Sequence, residues 1–248
     1  MSNNKHVALI TGGTGGLGTA FARALHDDGV TVLVTRMPQE DASAWTSKQE
    51  ADGYSFKVYP VDVSDFDSCN ALAAAIQADG YTVDILINNA GITADASFRK
   101  MSKAAWDSVL SVDLDSLYNM TKPFIEGMLA QNWGRIVNIS SVNGSKGAFG
   151  QANYSAAKSG VYGFTKALAL EFARKGVTVN AVSPGYVNTE MVAAVPEEVM
   201  KSAVLPQIPM GRLGEPEELA ALISFLCSEK AAFMTGANIA MNGGQHMY

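Results

Sequence analysis

The stretch "GQANYSAAKSG" sets Tyr154 and Lys158 four residues apart, directly after a segment rich in glycine and serine. An α-helix turns once every ~3.6 residues, so positions i and i+4 share a face. A lysine ammonium held beside a phenol favours the phenolate, and such a phenol can exchange protons near neutral pH. A second constellation lies near the N-terminus. "ALITGGTGGLGTAFARAL" puts Gly12, Gly16 and Gly18 between an apolar run and an amphipathic stretch. Backbone amides at a helix N-terminus can meet a pyrophosphate, and glycines permit the close approach. The turn follows a strand, opens a helix and begins a βαβ unit, which makes it a nucleotide site. The end of the next strand selects the dinucleotide. A carboxylate there would accept from a ribose 2′-hydroxyl and repel a 2′-phosphate. "VLVTRMP" instead offers Thr35 and Arg36. A guanidinium beside a hydroxyl suits a 2′-phosphate, so NADP(H) is expected, with Glu40 and Asp41 as opposing charges. In "PVDV", Asp62 can accept from the adenine amino group while Val63 packs the ring edge. "NNAG" brings the chain close to the cofactor at Ala90 and Gly91.

These residues need a scaffold. Seven short β-branched runs read as strands: 6–10, 31–35, 55–63, 83–91, 134–141, 176–185 and 237–244. Several are almost continuously apolar, as strands are when helices cover both faces of a sheet. Amphipathic stretches lie between them. The one holding Tyr154 and Lys158 ends in Arg174, Lys175 and Gly176, a basic last turn and a glycine stop. This alternation predicts an α/β fold, a single-domain, Rossmann-type doubly wound parallel sheet with about seven strands over residues 1–248. Residues 186–215 break the pattern. They carry Pro196, Pro206 and Pro209 and read as two short helices forming a substrate lid over the carboxyl edge of the sheet. The chain has 248 residues, 48% of them hydrophobic, and a formal charge of −6, which argues against a nucleic-acid partner. Cys69 and Cys227 lack metal-like spacing, so no metal is expected and two reduced thiols are. No stretch reaches the ~20 apolar residues of a membrane span, and the N-terminus has no signal-peptide core. A soluble cytoplasmic protein is expected.

In chain order, TGxxxGxG at 11–18, NNAG at 88–91, Ser141, YxxxK at 154–158 and PGxxxT at 184–189 resemble the short-chain dehydrogenase/reductase family over essentially the whole chain. The resemblance implies that Tyr154 is the general acid, that Lys158 binds the nicotinamide ribose and tunes the tyrosine, and that Ser141 polarises a substrate carbonyl. It implies cofactor contacts at Thr11, Gly12, Gly13, Gly16, Leu17, Gly18, Asn89, Ala90, Gly91, Pro184, Gly185 and Val187, with Thr189 holding the carboxamide. Chemistry agrees: hydride transfer to a ketone builds negative charge on oxygen, which needs donors and then a proton. Asp113, in "SVDLDSLYN", stands where the family carries a catalytic asparagine whose backbone carbonyl binds a relay water; the resemblance implies that this backbone role survives and that the carboxylate adds charge near Lys158.

The stretches "NNAGITADASFRKM", "WGRIVNISSVNGSKGAFGQANYSAAK" and "NGGQHMY" are similar to bacterial acetoacetyl-CoA reductases of polyhydroxyalkanoate synthesis. These reduce an acyl-CoA thioester, acetoacetyl-CoA, to (R)-3-hydroxybutyryl-CoA with NADPH. The resemblance implies substrate contacts at Asp95, Phe149, Gln151 and Tyr186; Ala148 departs from the glutamine often found there. It also implies a homotetramer. Similarity to 3-oxoacyl-[acyl-carrier-protein] reductases is nearly as broad. Those often carry a basic residue before the Gly-Arg of the fifth strand, where this chain reads Gln131, Asn132, Trp133. A non-catalytic NADP(H)-binding regulator on the same fold is the reading from a different class. Retention of Ser141, Tyr154 and Lys158 together argues against it.

Overall fold

The computed structural model describes residues 6–193 and 197–247; readings that touch residues 1–5, Pro196 or Tyr248 concern positions outside these. Seven strands form one sheet: β1 (Val7–Ile10), β2 (Thr31–Arg36), β3 (Lys57–Pro60), β4 (Ile85–Asn88), β5 (Gly134–Ile139), β6 (Val177–Pro184) and β7 (Asn238–Met241). Their order is β3-β2-β1-β4-β5-β6-β7, and every pairing is parallel. The helices are α1 (Gly16–Asp27), α2 (Ser43–Ala51), α3 (Phe66–Ala78), α4 (Lys103–Leu110), α5 (Ser116–Gln131), α6 (Val142–Lys146), α7 (Ala152–Phe172), α8 (Glu190–Ala193), α9 (Glu197–Val199) and α10 (Pro216–Cys227).

Side chains alternate faces along a strand, so consecutive apolar residues feed two cores. Ile10, Val34, Ile87, Val137 and Val182 pack with Phe21 of α1 and Ile223 of α10. Leu9, Leu33, Leu86, Ile136 and Val179 of the same strands face the other way, against Leu72 of α3, Met120 and Phe124 of α5, and Ala169 of α7. Each fully buried aliphatic contributes about 1.5–3 kcal/mol. The near-continuous apolar runs are therefore the consequence of a sheet covered on both sides. Strand order reverses between β1 and β4, which opens a crevice at their carboxyl ends where open α/β sheets bind ligands.

The expected glycine stop is present. A 3-10 turn at Ala173–Lys175 follows α7, and Gly176 takes φ 69° beneath the Asn132 carbonyl. Two features were not legible. Between α4 and α5, residues Ser111–Asp115 form a wider π-helical turn. Pro123 lies inside α5 and removes one of its hydrogen bonds, at a cost of about 3 kcal/mol in an ordinary helix. The helix persists because Leu117, Met120, Phe124 and Met128 are buried along it. Segment 186–215 leaves the sheet after β6. Its base is tied where Asn188 N donates to the Gly214 carbonyl (2.8 Å) and Gly214 N to that of Tyr186 (3.0 Å). Beyond α8 and α9 it continues through turns at Met200–Val204 and Leu205–Gln207, more structure than two short helices. Among the described residues no helix is long and apolar enough to cross a membrane.

Candidate active site

Thr11 follows β1, and its hydroxyl accepts the amides of Asn89 and Ala90, both at 2.9 Å. The Asn89 side chain donates back to the carbonyls of Thr11 (2.9 Å) and Gly12 (3.2 Å). The ends of β1 and β4 are laced together where the sheet divides, and the glycine turn hangs from that lacing. Gly12 has φ 60°. A Cβ at Gly13 would lie 2.4 Å from Val34 Cβ, and one at Gly18 would lie 2.3 Å from the Gly12 oxygen. The turn is thus pressed onto β2 and the start of α1. Its outer side is open at Gly15, where a Cβ would meet only the Gly12 oxygen, at 3.5 Å; at Gly16 a Cβ would press on Thr189 at 3.3 Å, which walls the groove there. The free amides at the start of the 12-residue α1 face that groove, which suits a pyrophosphate. These residues fit a nicotinamide dinucleotide.

At the adenosine end the picture is mixed. Arg36 turns Nη1 onto the carbonyls of Met37 (2.8 Å) and Pro38 (2.9 Å). Thr35, expected beside it, is buried and points inward, its Oγ1 accepting the Gly12 amide at 3.3 Å. Residues 35 and 36 fall on opposite sides of the strand, so the pair cannot present one surface. Glu40 bridges the Thr14 hydroxyl (2.9 Å) and the Met37 amide (3.3 Å). One Asp62 oxygen accepts from the Ser64 amide (2.9 Å) and hydroxyl (2.6 Å), and Val63 is packed in the core beside Cys69.

Ser141 follows β5 and caps α6, accepting the Asn143 amide at 3.1 Å. A hydroxyl that accepts this way keeps its own hydrogen free to donate. Tyr154 and Lys158 lie in the first two turns of α7. Lys158 Nζ stands 5.5 Å from the Tyr154 ring centroid and donates to the Ile139 carbonyl at 3.1 Å. Its other neighbour is Asp113: Nζ and Oδ2 are 3.1 Å apart, with both side chains buried. Asp113 Oδ1 accepts the Ile92 amide at 2.8 Å. A Cβ on Gly91 would lie 3.0 Å from Asp113 Oδ2 and 3.2 Å from Lys158 Nζ, so NNAG needs its glycine to pass this pair. Burial opposes the charge on Lys158, but Asp113 and the neighbouring phenols outweigh it and hold the ammonium above the ordinary lysine range. Burial pushes the Asp113 carboxyl up, with Lys158 and the Ile92 amide pulling against it.

Ser141, Tyr154 and Lys158 line one cleft of about 240 Å³. Leu17, Asn89 and Gly91 line its nucleotide side; Pro184, Gly185, Tyr186, Val187 and Thr189 form the facing wall. Gln151 stands at its edge, donating to Asp95 (2.9 Å) and accepting from Asn143 (2.9 Å). Asp95 and Gln151, both expected as substrate contacts, therefore meet. Ala148 gives its carbonyl to the Gln151 amide (3.1 Å), while Phe149 is 97% exposed and stands outside the cleft.

Sequence reasoning missed the supports. Asn153 is fully buried and binds the carbonyls of Ala94 (3.1 Å) and Ala105 (3.0 Å), anchoring the start of α7. Tyr162 donates to the Ser141 carbonyl at 3.0 Å. The four-residue spacing that singled out Tyr154 and Lys158 continues to Tyr162 and could have found it. Asn88 and Asn138, in register on adjacent strands, link at 2.8 Å, and Asn138 passes on to Thr165 at 2.9 Å.

A profile of the family described as enoyl-(acyl carrier protein) reductase matches residues 12–246. Nodulation protein G of Azospirillum brasilense is 53% identical over 97% of this chain and 98% of its own. The acetoacetyl-CoA reductase of Shinella zoogloeoides is 51% identical over 96% and 98%. A 3-oxoacyl-[acyl-carrier-protein] reductase of Aquifex aeolicus is 45% identical over 96% of each chain. With its glycine turn, its Ser141–Tyr154–Lys158 cleft and its parallel seven-stranded sheet, this chain belongs to the short-chain dehydrogenase/reductase family, whose fold and membership imply a nicotinamide cofactor.

Proposed function

We propose that the protein reduces acetoacetyl-CoA to (R)-3-hydroxybutyryl-CoA with NADPH, the reduction that serves polyhydroxybutyrate synthesis. The observation that carries this is one cleft holding a hydroxyl donor, a phenol and a buried ammonium beside an open glycine turn. The relatives named for acetoacetyl-CoA supply the substrate class. When bound, the dinucleotide supplies a hydride to the ketone carbon. Charge then collects on the ketone oxygen, where Ser141, its hydrogen left free by Asn143, donates. Tyr154 delivers the proton that turns the alkoxide into the alcohol. Lys158 steadies the phenolate left behind and is itself fixed by Asp113 and the Ile139 carbonyl.

Arg36 at the end of β2 supports the choice of NADP(H) over NAD(H). The excursion at 186–215, which begins beside Tyr186 and Thr189 on the cleft wall, acts as the substrate lid. Leu170, 85% exposed, and the fully exposed Phe233 are large apolar surfaces that assembly into a homotetramer would cover. The carrier-protein thioester is the second substrate to weigh, favoured by the relative that carries that name.

The test is NADPH consumption with acetoacetyl-CoA and chiral analysis of the product, on wild type and Tyr154→Phe. Wild type should yield the R alcohol. Tyr154→Phe keeps the ring but loses the proton donor, so it should bind NADPH with unchanged affinity and turn over at least ~100-fold more slowly. Near-normal turnover in that variant would overturn the assignment.

A further inference from the structure

We infer that Asp113 is a positioning residue whose two carboxylate oxygens hold the Lys158 ammonium and the Ile92 backbone together, and thereby set the alkaline limit of ketone reduction. The inference rests on the reading of the cleft as a ketone-reducing site. Oδ2 is 3.1 Å from Lys158 Nζ, and Oδ1 accepts the Ile92 amide at 2.8 Å. Both jobs require an acceptor. An amide at 113 has one acceptor and one donor, so it would turn its NH2 either on the ammonium or on the Ile92 N–H. The backbone of Gly91 lies against the pair, so the group at 113 has little freedom to move away from it.

The groups facing Lys158 Nζ are Asp113 from the turn before α5, the Ile139 carbonyl from β5, and the phenols of Tyr154 and Tyr162 from α7. Tyr162 is engaged with the Ser141 carbonyl and Ser183. Tyr154 therefore faces an ion pair rather than a lone cation. A cation favours a nearby phenolate, and an opposite charge 3.1 Å from that cation offsets much of the effect. The ammonium's pull on the Tyr154 hydroxyl, the group that donates during reduction, is therefore weaker than a lone cation's would be.

The experiment follows rates from about pH 6 to about pH 10 in both directions, across the range in which an unpaired phenol begins to titrate. It compares wild type with Asp113→Asn and Asp113→Ser, the serine leaving room for water beside the ammonium. Acetoacetyl-CoA and ethyl acetoacetate serve as separate ketones. In both variants the alkaline limb of reduction should move down by about one pH unit, with alcohol oxidation near neutrality improved. Superimposable limbs in either folded variant would overturn the inference. Loss of wild-type circular dichroism in both variants would also overturn it, by making the carboxylate structural. A wild type that reduces the ester and not the thioester would sink the substrate reading and leave the inference on Asp113 standing.

Discussion

Arg36 and Glu40 oppose each other at the adenosine end. Arg36 keeps Nε and Nη2 clear of its contacts with Met37 and Pro38, so both can meet a phosphate. Glu40, tied to Thr14 on the glycine turn, is the carboxylate such a phosphate must tolerate. A charge-assisted contact contributes ~1.5–3 kcal/mol, enough for a tenfold preference or more. Arg36→Asp should therefore lower kcat/KM for NADPH at least ~tenfold and shift the balance toward NADH. Steady-state kinetics with both cofactors checks this, and equal use of the two by wild type would show that Arg36 does not read the phosphate. At this scale the sequence is most legible where chemistry depends on residue type and local spacing, as for Tyr154 and Lys158. It is least legible where one buried side chain joins distant segments. The family resemblance places a carboxylate near Lys158, but nothing local in "SVDLDSLYN" says that Asp113 also takes the Ile92 amide; both contacts exist because the wide turn before α5 packs on α7.

The elements were readable because both cores write themselves into consecutive strand residues. All seven strands fall within or overlap the apolar runs that predicted them, with ends trimmed where pairing stops. The π-helical turn and Pro123 escaped because tertiary burial overrides local preference there. The glycine turn shows how such a conflict is decided. Gly18 lies within α1, where alanine would gain about 0.8–1.0 kcal/mol of helix propensity. Its Cβ would stand 2.3 Å from the Gly12 oxygen and 2.7 Å from Gly13 Cα, both backbone atoms that cannot rotate away. Forcing such a shift costs ~1–3 kcal/mol, so the clash wins. Gly18→Ala should lower Tm by a few degrees and weaken NADPH binding about tenfold, since the displaced turn carries the phosphate-facing amides. Thermal melts and fluorescence titration measure both. An unchanged affinity would mean that the turn does not seat the pyrophosphate.

For the whole molecule the open choice is between a free CoA thioester and one borne by an acidic carrier protein. Residues Gln131 and Asn132, neutral where a carrier-docking cation is expected, sit just before β5 and so at the amino edge of the sheet. Ser141 follows the other end of that strand, six residues or roughly 20 Å away. The fold adds what the local sequence hides: Gly176 packs under the Asn132 carbonyl, which brings the exposed turn of Arg174 and Lys175 to the same edge. Those two cations stand on a chain of net charge −6. A carrier docked there must lean on them, whereas a CoA thioester bound in the cleft does not reach them. With Gln131 and Asn132 neutral, those two cations alone are left to hold a carrier, so acetoacetyl-CoA should show the higher kcat/KM. Arg174→Glu should depress turnover of the carrier thioester several-fold while leaving that of acetoacetyl-CoA unchanged, because a surface charge acts weakly beyond about 8 Å at physiological salt. Both substrates assayed on both proteins decide the matter: a higher efficiency on the carrier thioester would reverse the assignment, and equal losses on the two would remove the amino edge as a docking surface.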